Sequence, residues 1–185
     1  MATTQLTVPK IYAGIGSRKA PPEIIDQMRE FAYHAAKRGW LLRSGAAEGA
    51  DRAFELGCDD AKGAKEIFLP WKGFNGHRSP YTQPIEGAYK IAAEIHPAWQ
   101  FLREPARKLV ARNMHQIMGP QLSQSVSCVV CWTPDGCESF KTYSQKTGGT
   151  GTAIALASLN LVPIFNLKNE DRYVDAIEFL LMNGM

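Results

Sequence analysis

Apolar and polar positions follow two alternating periods along the chain. Lys10–Ile15 (KIYAGI) is a short apolar run, which predicts a strand. Pro21 and Pro22 suit a helix first turn; Ile24, Ile25, Met28, Phe31, Ala32, Ala35 and Ala36 then recur at helical spacing until Gly39. Trp40–Arg43 predicts a second strand, and Ala53, Phe54 and Leu56 mark a helix from Ala50 to Gly57. Lys65–Leu69 predicts a third strand, ending at Pro70-Trp71. Residues 71–82 form a long loop of the kind that lines sites or moves. Ile85, Ala88, Ala92 and Ile95 mark one helix face. Ala106, Leu109, Val110, Met114 and Ile117 mark another, on a helix from Glu104 to Met118 stopped by Gly119-Pro120. Val126–Cys131 is apolar almost throughout, which predicts a central strand covered on both faces. Thr133–Gly149 predicts a polar loop, Gly151–Leu159 a helix of small residues, Leu161–Phe165 a fifth strand and Asp171–Met182 a last helix.

Strands that alternate with helices predict an α/β fold, a Rossmann-like three-layer sandwich with a mostly parallel central sheet. No repeat, low-complexity segment or linker divides the 185 residues, so one domain over residues 1–185 is expected. The apolar fraction of 45% and charged fraction of 21% fit a globular chain. No apolar run reaches the ~18–20 residues of a membrane span. The N-terminal MATTQLTVPKIYAG lacks the basic start and long apolar stretch of a signal peptide. A cytoplasmic protein without a membrane partner is expected. The 21 basic and 18 acidic residues leave a net charge of +3, enough for a phosphate-bearing small molecule but without the clustered excess of a nucleic-acid surface.

Cys128 and Cys131 form a C-x-x-C, which invites a zinc or redox reading. Their apolar, β-branched surroundings instead predict a strand, on which positions three apart face opposite ways. His34, His77, His96 and His115 are scattered without ligand spacing. No metal site and no cofactor are expected, and reduced thiols fit a cytosolic setting.

In open parallel sheets, ligands bind beyond the carboxyl ends of the strands. Four segments at such ends are rich in Gly, Ser and Thr, which present N–H groups and hydroxyls to a ligand. The strongest is Lys146-Thr147-Gly148-Gly149-Thr150-Gly151-Thr152, just before a helix. It reads as a phosphate cradle at a helix N-terminus with Lys146 adding charge, or as a flexible loop before a tightly packed helix. The second is Gly14-Ile15-Gly16-Ser17-Arg18, whose G-x-G breaks the dinucleotide pattern because Lys19 stands where the third glycine should be. No G-x-x-x-x-G-K-[ST] sequence occurs, which disfavours an NTPase. The remaining two are Ser44–Asp51, with Ser44, Gly45, Ala46 and Gly49 as candidates, and Thr133–Gly136, with Thr133 as candidate. On the helix before the fourth strand, Arg112 reaches a phosphate or makes a surface ion pair, and Asn113 reaches a ligand or holds a loop carbonyl. His77 and Arg78 are candidates to line a pocket. Trp71, Phe74 and Tyr81 either stack on a base or cap the sheet edge.

These segments, in this order, resemble the SLOG superfamily, which joins the DNA-processing protein A fold to the "lonely guy" phosphoribohydrolases. The resemblance rests on Gly14–Arg18, Ser44–Asp51, Ala111-Arg112-Asn113 and Gly148–Thr152, and spans about residues 10–166. It implies a Rossmann-like binder of nucleotides or nucleic acid, commonly dimeric. The phosphoribohydrolases carry P-G-G-x-G-T-x-x-E; here Thr147 replaces the proline and Ala155 stands where the glutamate should be. Cleaving a base–ribose bond needs a carboxylate, and Glu48, Asp51, Asp135 and Glu138 are the candidates to supply one from elsewhere. Glu48 and Asp51 read equally as helix-capping residues. Arg112-Asn113 matches part of an Arg-Asn-Arg in the DNA-processing family, with Met114 replacing the second arginine.

Three functions are then in view. The first is a nucleotide or nucleotide-derivative binder acting as sensor, carrier or sequestering protein. The second is an N-glycosidase acting on nucleoside 5′-monophosphates, and the third a single-stranded DNA binder. The first needs no relocated carboxylate and no basic surface, and is preferred. The helices at 85–95 and 104–118 either pair across a two-fold in a homodimer or higher oligomer, or simply cover the sheet.

Overall fold

The computed structural model describes residues 10–183. Residues 1–9, most of the stretch read above for a signal peptide, lie outside the described residues. Five strands form one sheet: β1 (Ile11–Gly16), β2 (Leu41–Ser44), β3 (Lys65–Ile67), β4 (Cys128–Trp132) and β5 (Ile164–Asn166). Their order is β3-β2-β1-β4-β5 and every pairing is parallel. Six α-helices accompany them: α1 (Pro22–Lys37), α2 (Ala50–Asp60), α3 (Glu86–Ile95), α4 (Glu104–Met118), α5 (Gly151–Leu159) and α6 (Arg172–Asn183). The expected three-layer α/β fold is what the chain forms.

The strand period of two assigns side chains to two cores. Tyr12, Cys128, Val130 and Phe165 pack with α1, α2 and α6 on one face. Ile11, Ala13, Ile15, Val129 and Cys131 pack with α3, α4 and α5 on the other. Cys128 and Cys131 thus fall in opposite cores, and burial pushes both thiols well up, so neither is available as a thiolate. The apolar stripes of α3 and α4 cover the sheet: Ala88, Ala92, Ile95, Ala111, Met114 and Ile117 are all buried in the second core.

Some boundaries differ from the sequence reading. The fifth strand begins at Ile164, because Leu161 turns the chain with φ 57° and is 91% exposed. An exposed turn and a buried strand start carry the same apolar letters. β3 ends at Ile67, although the Phe68 N–H still donates to the Ser44 carbonyl at 2.9 Å. The polar loop 133–149 contains two short 3-10 turns, Phe140–Thr142 and Gln145–Thr150. Among the described residues no helix is long and apolar enough to cross a membrane.

The strand order reverses between β1 and β4. To one side the chain proceeds to β2 and β3; to the other it reaches β5. That divergence opens a crevice at the carboxyl ends of β1 and β4, where such sheets place ligands.

Candidate functional site

A cavity of about 680 Å³ lies over that crevice. The turn after β1 supplies Gly16, Ser17 and Arg18; the loop before α5 supplies Lys146–Thr150; α4 supplies Arg112 and Asn113. Three segments distant in sequence therefore meet, as the strand-end argument predicts. Lys19, Phe74, His96, Gln116 and apolar residues of α4 also line the cavity, and the sequence reading had not assigned Lys19, His96, Gln116 or those apolar residues to it. Their signal was weak: an apolar residue one turn off a core stripe looks like part of it.

Gly148 and Gly149 face open space. A Cβ added to either would meet nothing within 4 Å, and Gly148 turns the chain with φ 73°. The turn is held from behind. The Thr147 hydroxyl donates to Asp135 Oδ2 at 2.7 Å, and Thr147 Oγ1 accepts from the Ser144 N–H at 3.1 Å. Asn113 Nδ2 donates to the Gly149 carbonyl at 2.7 Å and to Thr152 Oγ1 at 3.0 Å. Asn113 thus takes the loop-carbonyl role. Thr150 closes the loop onto α5, whose residues Gly151–Ala157 are all buried. A fixed helix N-terminus behind a small-residue turn provides a favourable field for phosphate.

Arg112 is not the surface ion pair considered above. It is only 6% exposed. Its Nη1 donates to the Gly45 carbonyl and lies 3.7 Å from Asp51 Oδ2, itself an acceptor from the Ala47 N–H at 3.3 Å. Its Nε is buried with no hydrogen-bond partner. The guanidinium also lies over the Phe74 ring, 5.9 Å from its centroid. Burial pushes the Asp51 carboxyl up to about 6, against the opposing pull of Arg112 and of the backbone N–H groups of Ala47, Gly45 and Gly16. Burial likewise lowers Arg112, with Asp51 opposing.

Other candidates are placed away from the cavity by their own hydrogen bonds and packing. A Cβ on Gly14 would lie 2.5 Å from Phe54 Cγ and 2.9 Å from Leu42 Cδ1, so this glycine lets α2 approach the sheet. Gly45 leaves room for the Arg112 guanidinium. Gly49 has φ 80°, and a Cβ there would lie 2.7 Å from the Arg18 backbone. Gly151 sits against the Tyr143 ring. The Ser44 hydroxyl donates to the Gly14 carbonyl at 2.6 Å, and the Ala46 carbonyl accepts from Asn75 Nδ2 at 2.9 Å. Thr133 is fully buried, with its hydroxyl bonded to Asp135 at 2.9 Å and to Asn166 Nδ2 at 2.7 Å.

The carboxylates divide similarly. Burial pushes Asp135 up, but hydrogen bonds from Thr147, Thr133 and the Cys137 N–H hold it below the usual range. Glu138 accepts from the Asn166 N–H and from Arg172, both at 2.8 Å. Glu48 is exposed and borders a separate, smaller cavity with His77, whose Nε2 lies 2.6 Å from Glu55 Oε1. Of the four, Asp51 alone borders the main cavity. Ala155 is fully buried in the core. Of the loop aromatics, Phe74 lines the cavity and Trp71 packs edge-on against it, while Tyr81 packs on Phe68. Among the described residues no three His, Cys, Asp or Glu side chains gather as metal ligands would.

No protein-family model matches the sequence, and neither does any curated protein. Solved structures do match the fold. DNA processing protein A from Streptococcus pneumoniae superposes over 95% of this chain with a TM-score of 0.50 and 14% identity. The fold is similar to that of DNA processing protein A. At 14% identity the likeness is one of fold. The chain spans 56% of the length of DNA processing protein A. The molybdenum cofactor carrier protein from Chlamydomonas reinhardtii also aligns, over 95% of this chain and 99% of its own, with 14% identity and a TM-score of 0.43.

Proposed function

We propose that the protein binds a nucleotide or nucleotide-derived small molecule in the crevice between β1 and β4, with the phosphate seated at Gly148 and Gly149. The observation that carries the reading is Arg112: a buried guanidinium on the cavity wall whose Nε has no partner. A buried donor without an acceptor is costly, and an anion in the cavity would supply one. Arg18, Lys19 and Lys146 border the same space, so the local charge favours phosphate.

Binding without cleavage is the better reading. The position that carries the glutamate in the phosphoribohydrolases is the buried Ala155. Asp135 and Glu138 are engaged elsewhere, and Asp51 is tied to Arg112 and the Ala47 N–H. A carboxylate so held has little freedom to activate water at a sugar carbon.

The test is a thermal-shift screen against nucleoside monophosphates, ADP-ribose, NAD and cyclic dinucleotides. Ligand at ~100 times its dissociation constant adds ~2.7 kcal/mol of stability. No shift with any of them refutes the proposal. Chromatography of the same mixtures for free base separates binding from hydrolysis. Oligonucleotide affinity that falls steeply with salt would favour the DNA reading instead.

A further inference from the structure

The positive charge of this chain is concentrated at one place. Four cations border the main cavity, Arg18, Lys19, Arg112 and Lys146, and among the described residues Asp51 is the one carboxylate that does. His96 lies on the same wall, and burial pushes its ring toward the neutral form. The whole chain has 21 basic and 18 acidic residues, a net charge of +3. The cavity lining alone carries that excess, and the charges elsewhere balance. Elsewhere the cations are paired: Arg29, Arg43, Lys65, Lys90, Lys108 and Arg172 each meet a carboxylate at 2.7–2.8 Å. Among the described residues no carboxylate pairs with Arg18, Lys19 or Lys146, and all three are exposed.

The four cations fall into two groups, one on each flank of the cavity. Arg112 and Asn113 are consecutive on α4, and one residue of helix turns by about 100°. Arg112 reaches toward β2 and α2, donating to the Gly45 carbonyl beside Asp51. Asn113 reaches the opposite loop, at the Gly149 carbonyl and Thr152 Oγ1. The turn after β1 belongs to the Arg112 flank. Its Ser17 carbonyl accepts from the Ala50 N–H of α2 at 3.4 Å, and Gly49 lies against the Arg18 backbone. Arg112 is lowered by burial first and further by the charge of Arg18, so the two guanidinium groups feel each other. Lys146 belongs to the Asn113 flank, two residues before the open Gly148–Gly149 turn. One flank is thus a glycine turn with a lysine. The other is a buried guanidinium with an unpartnered Nε, beside Arg18 and Lys19. A single phosphoryl group at the glycine turn brings a charge of about −1.5 to −2 at pH 7 and leaves the Arg112 flank unanswered.

We infer that the site is built for a nucleotide with two phosphoryl groups in line, a nucleoside diphosphate: one group at Gly148 and Gly149 with Lys146, the next accepting from Arg112 Nε beside Arg18. This rests on the phosphate-binding reading above and names the substrate class within it. The second group supplies the acceptor that Arg112 lacks and the negative charge that the turn after β1 lacks.

Calorimetric titration of the full chain with 5′-AMP, 5′-ADP and inorganic pyrophosphate, in buffer free of divalent metal, tests this. 5′-ADP should bind at least about tenfold tighter than 5′-AMP, the effect of charge-assisted hydrogen bonds to one more group. Excess pyrophosphate should displace 5′-ADP. Arg18→Gln should weaken 5′-ADP by about fivefold and leave 5′-AMP within about twofold, whereas Lys146→Gln should weaken both alike. Both side chains are exposed, so both variants should melt like the parent. Equal affinity for 5′-AMP and 5′-ADP overturns the inference and leaves the phosphate seat standing. So does an Arg18→Gln variant that keeps the full preference for 5′-ADP, or 5′-ADP that pyrophosphate does not displace. If neither nucleotide nor pyrophosphate binds, the phosphate-binding reading falls and this inference falls with it.

Discussion

Gly14 and Gly149 belong to the two glycine motifs, and the structure gives them opposite roles. That contrast is open to a crossed test. At Gly149 an added Cβ meets nothing within 4 Å, so Gly149→Asp should change stability by no more than about 0.5 kcal/mol. The new carboxylate would occupy the phosphate seat. Two unit charges 4 Å apart repel by ~4 kcal/mol at an effective dielectric of 20, about a thousandfold in affinity. At Gly14 the added methyl falls 2.5 Å from Phe54 Cγ, 2.8 Å from Phe54 Cδ1 and 2.9 Å from Leu42 Cδ1, all in a packed core. Overpacking of this kind costs about 1–3 kcal/mol, or roughly 2–12 °C of melting temperature for a chain of this size. Melting curves with and without 5′-AMP read both effects. Gly149→Asp should melt like the parent and lose the ligand-induced shift. Gly14→Ala should melt lower and keep it. If Gly149→Asp retains the shift, the phosphate seat is elsewhere. If Gly14→Ala melts unchanged but loses the shift, the first glycine is a ligand contact and its packing role is wrong.

Further outcomes follow from the buried polar groups. Asp51 is held at about 6 in the fold and near the ordinary value of 3.8 when unfolded, so the folded state binds the extra proton between those values. Its contribution to stability is therefore full below about pH 4 and is lost as pH rises through about 6; urea titrations should show Asp51→Asn lacking that decline, and parallel pH profiles would refute it. Arg43 is 1% exposed, with Nε 2.7 Å from Glu66 Oε2 and Nη1 2.6 Å from the Gln124 carbonyl. Arg43→Ala strands both acceptors and should cost about 3 kcal/mol in urea denaturation; a loss under about 1 kcal/mol would mean water replaces the guanidinium. Ala155→Glu puts a carboxylate into a fully closed core and should cost more than about 4 kcal/mol without releasing free base from 5′-AMP; a folded, hydrolytic variant would contradict the buried placement.

The fold was legible because its signals are periodic. The two-residue period of Ile11, Ala13 and Ile15 against Tyr12, and the helical stripes of α1 and α4, each report a buried face directly. The candidate site was legible only in outline. Glycine-rich letters mark both close packing and ligand approach, and a sequence does not say which. Gly14, Gly45, Gly49 and Gly151 proved to make room for neighbours, while Gly148 and Gly149 open onto the cavity. The Arg112–Asp51 pair spans 61 positions and joins two elements that are not sequential, so no local pattern announces it. The apolar cavity wall on α4 escaped because Leu109 and Val110 both border the cavity, yet Val110 also packs against the core, and the sequence assigns both to one apolar face.

α5 enters the core along its whole first two turns, with every residue from Gly151 to Ala157 buried. The loop that precedes it is thereby attached to the least yielding part of the molecule. Amide hydrogens of such a helix exchange with solvent only when the domain opens as a unit. A ligand seated at Gly148 and Gly149 should therefore slow exchange in α5 and in the central strand β4 by the same factor, the one by which it slows global unfolding. A site on a pliant lid would instead protect its own loop first. Occupancy of the crevice would then be read by the same amides that report the integrity of the fold.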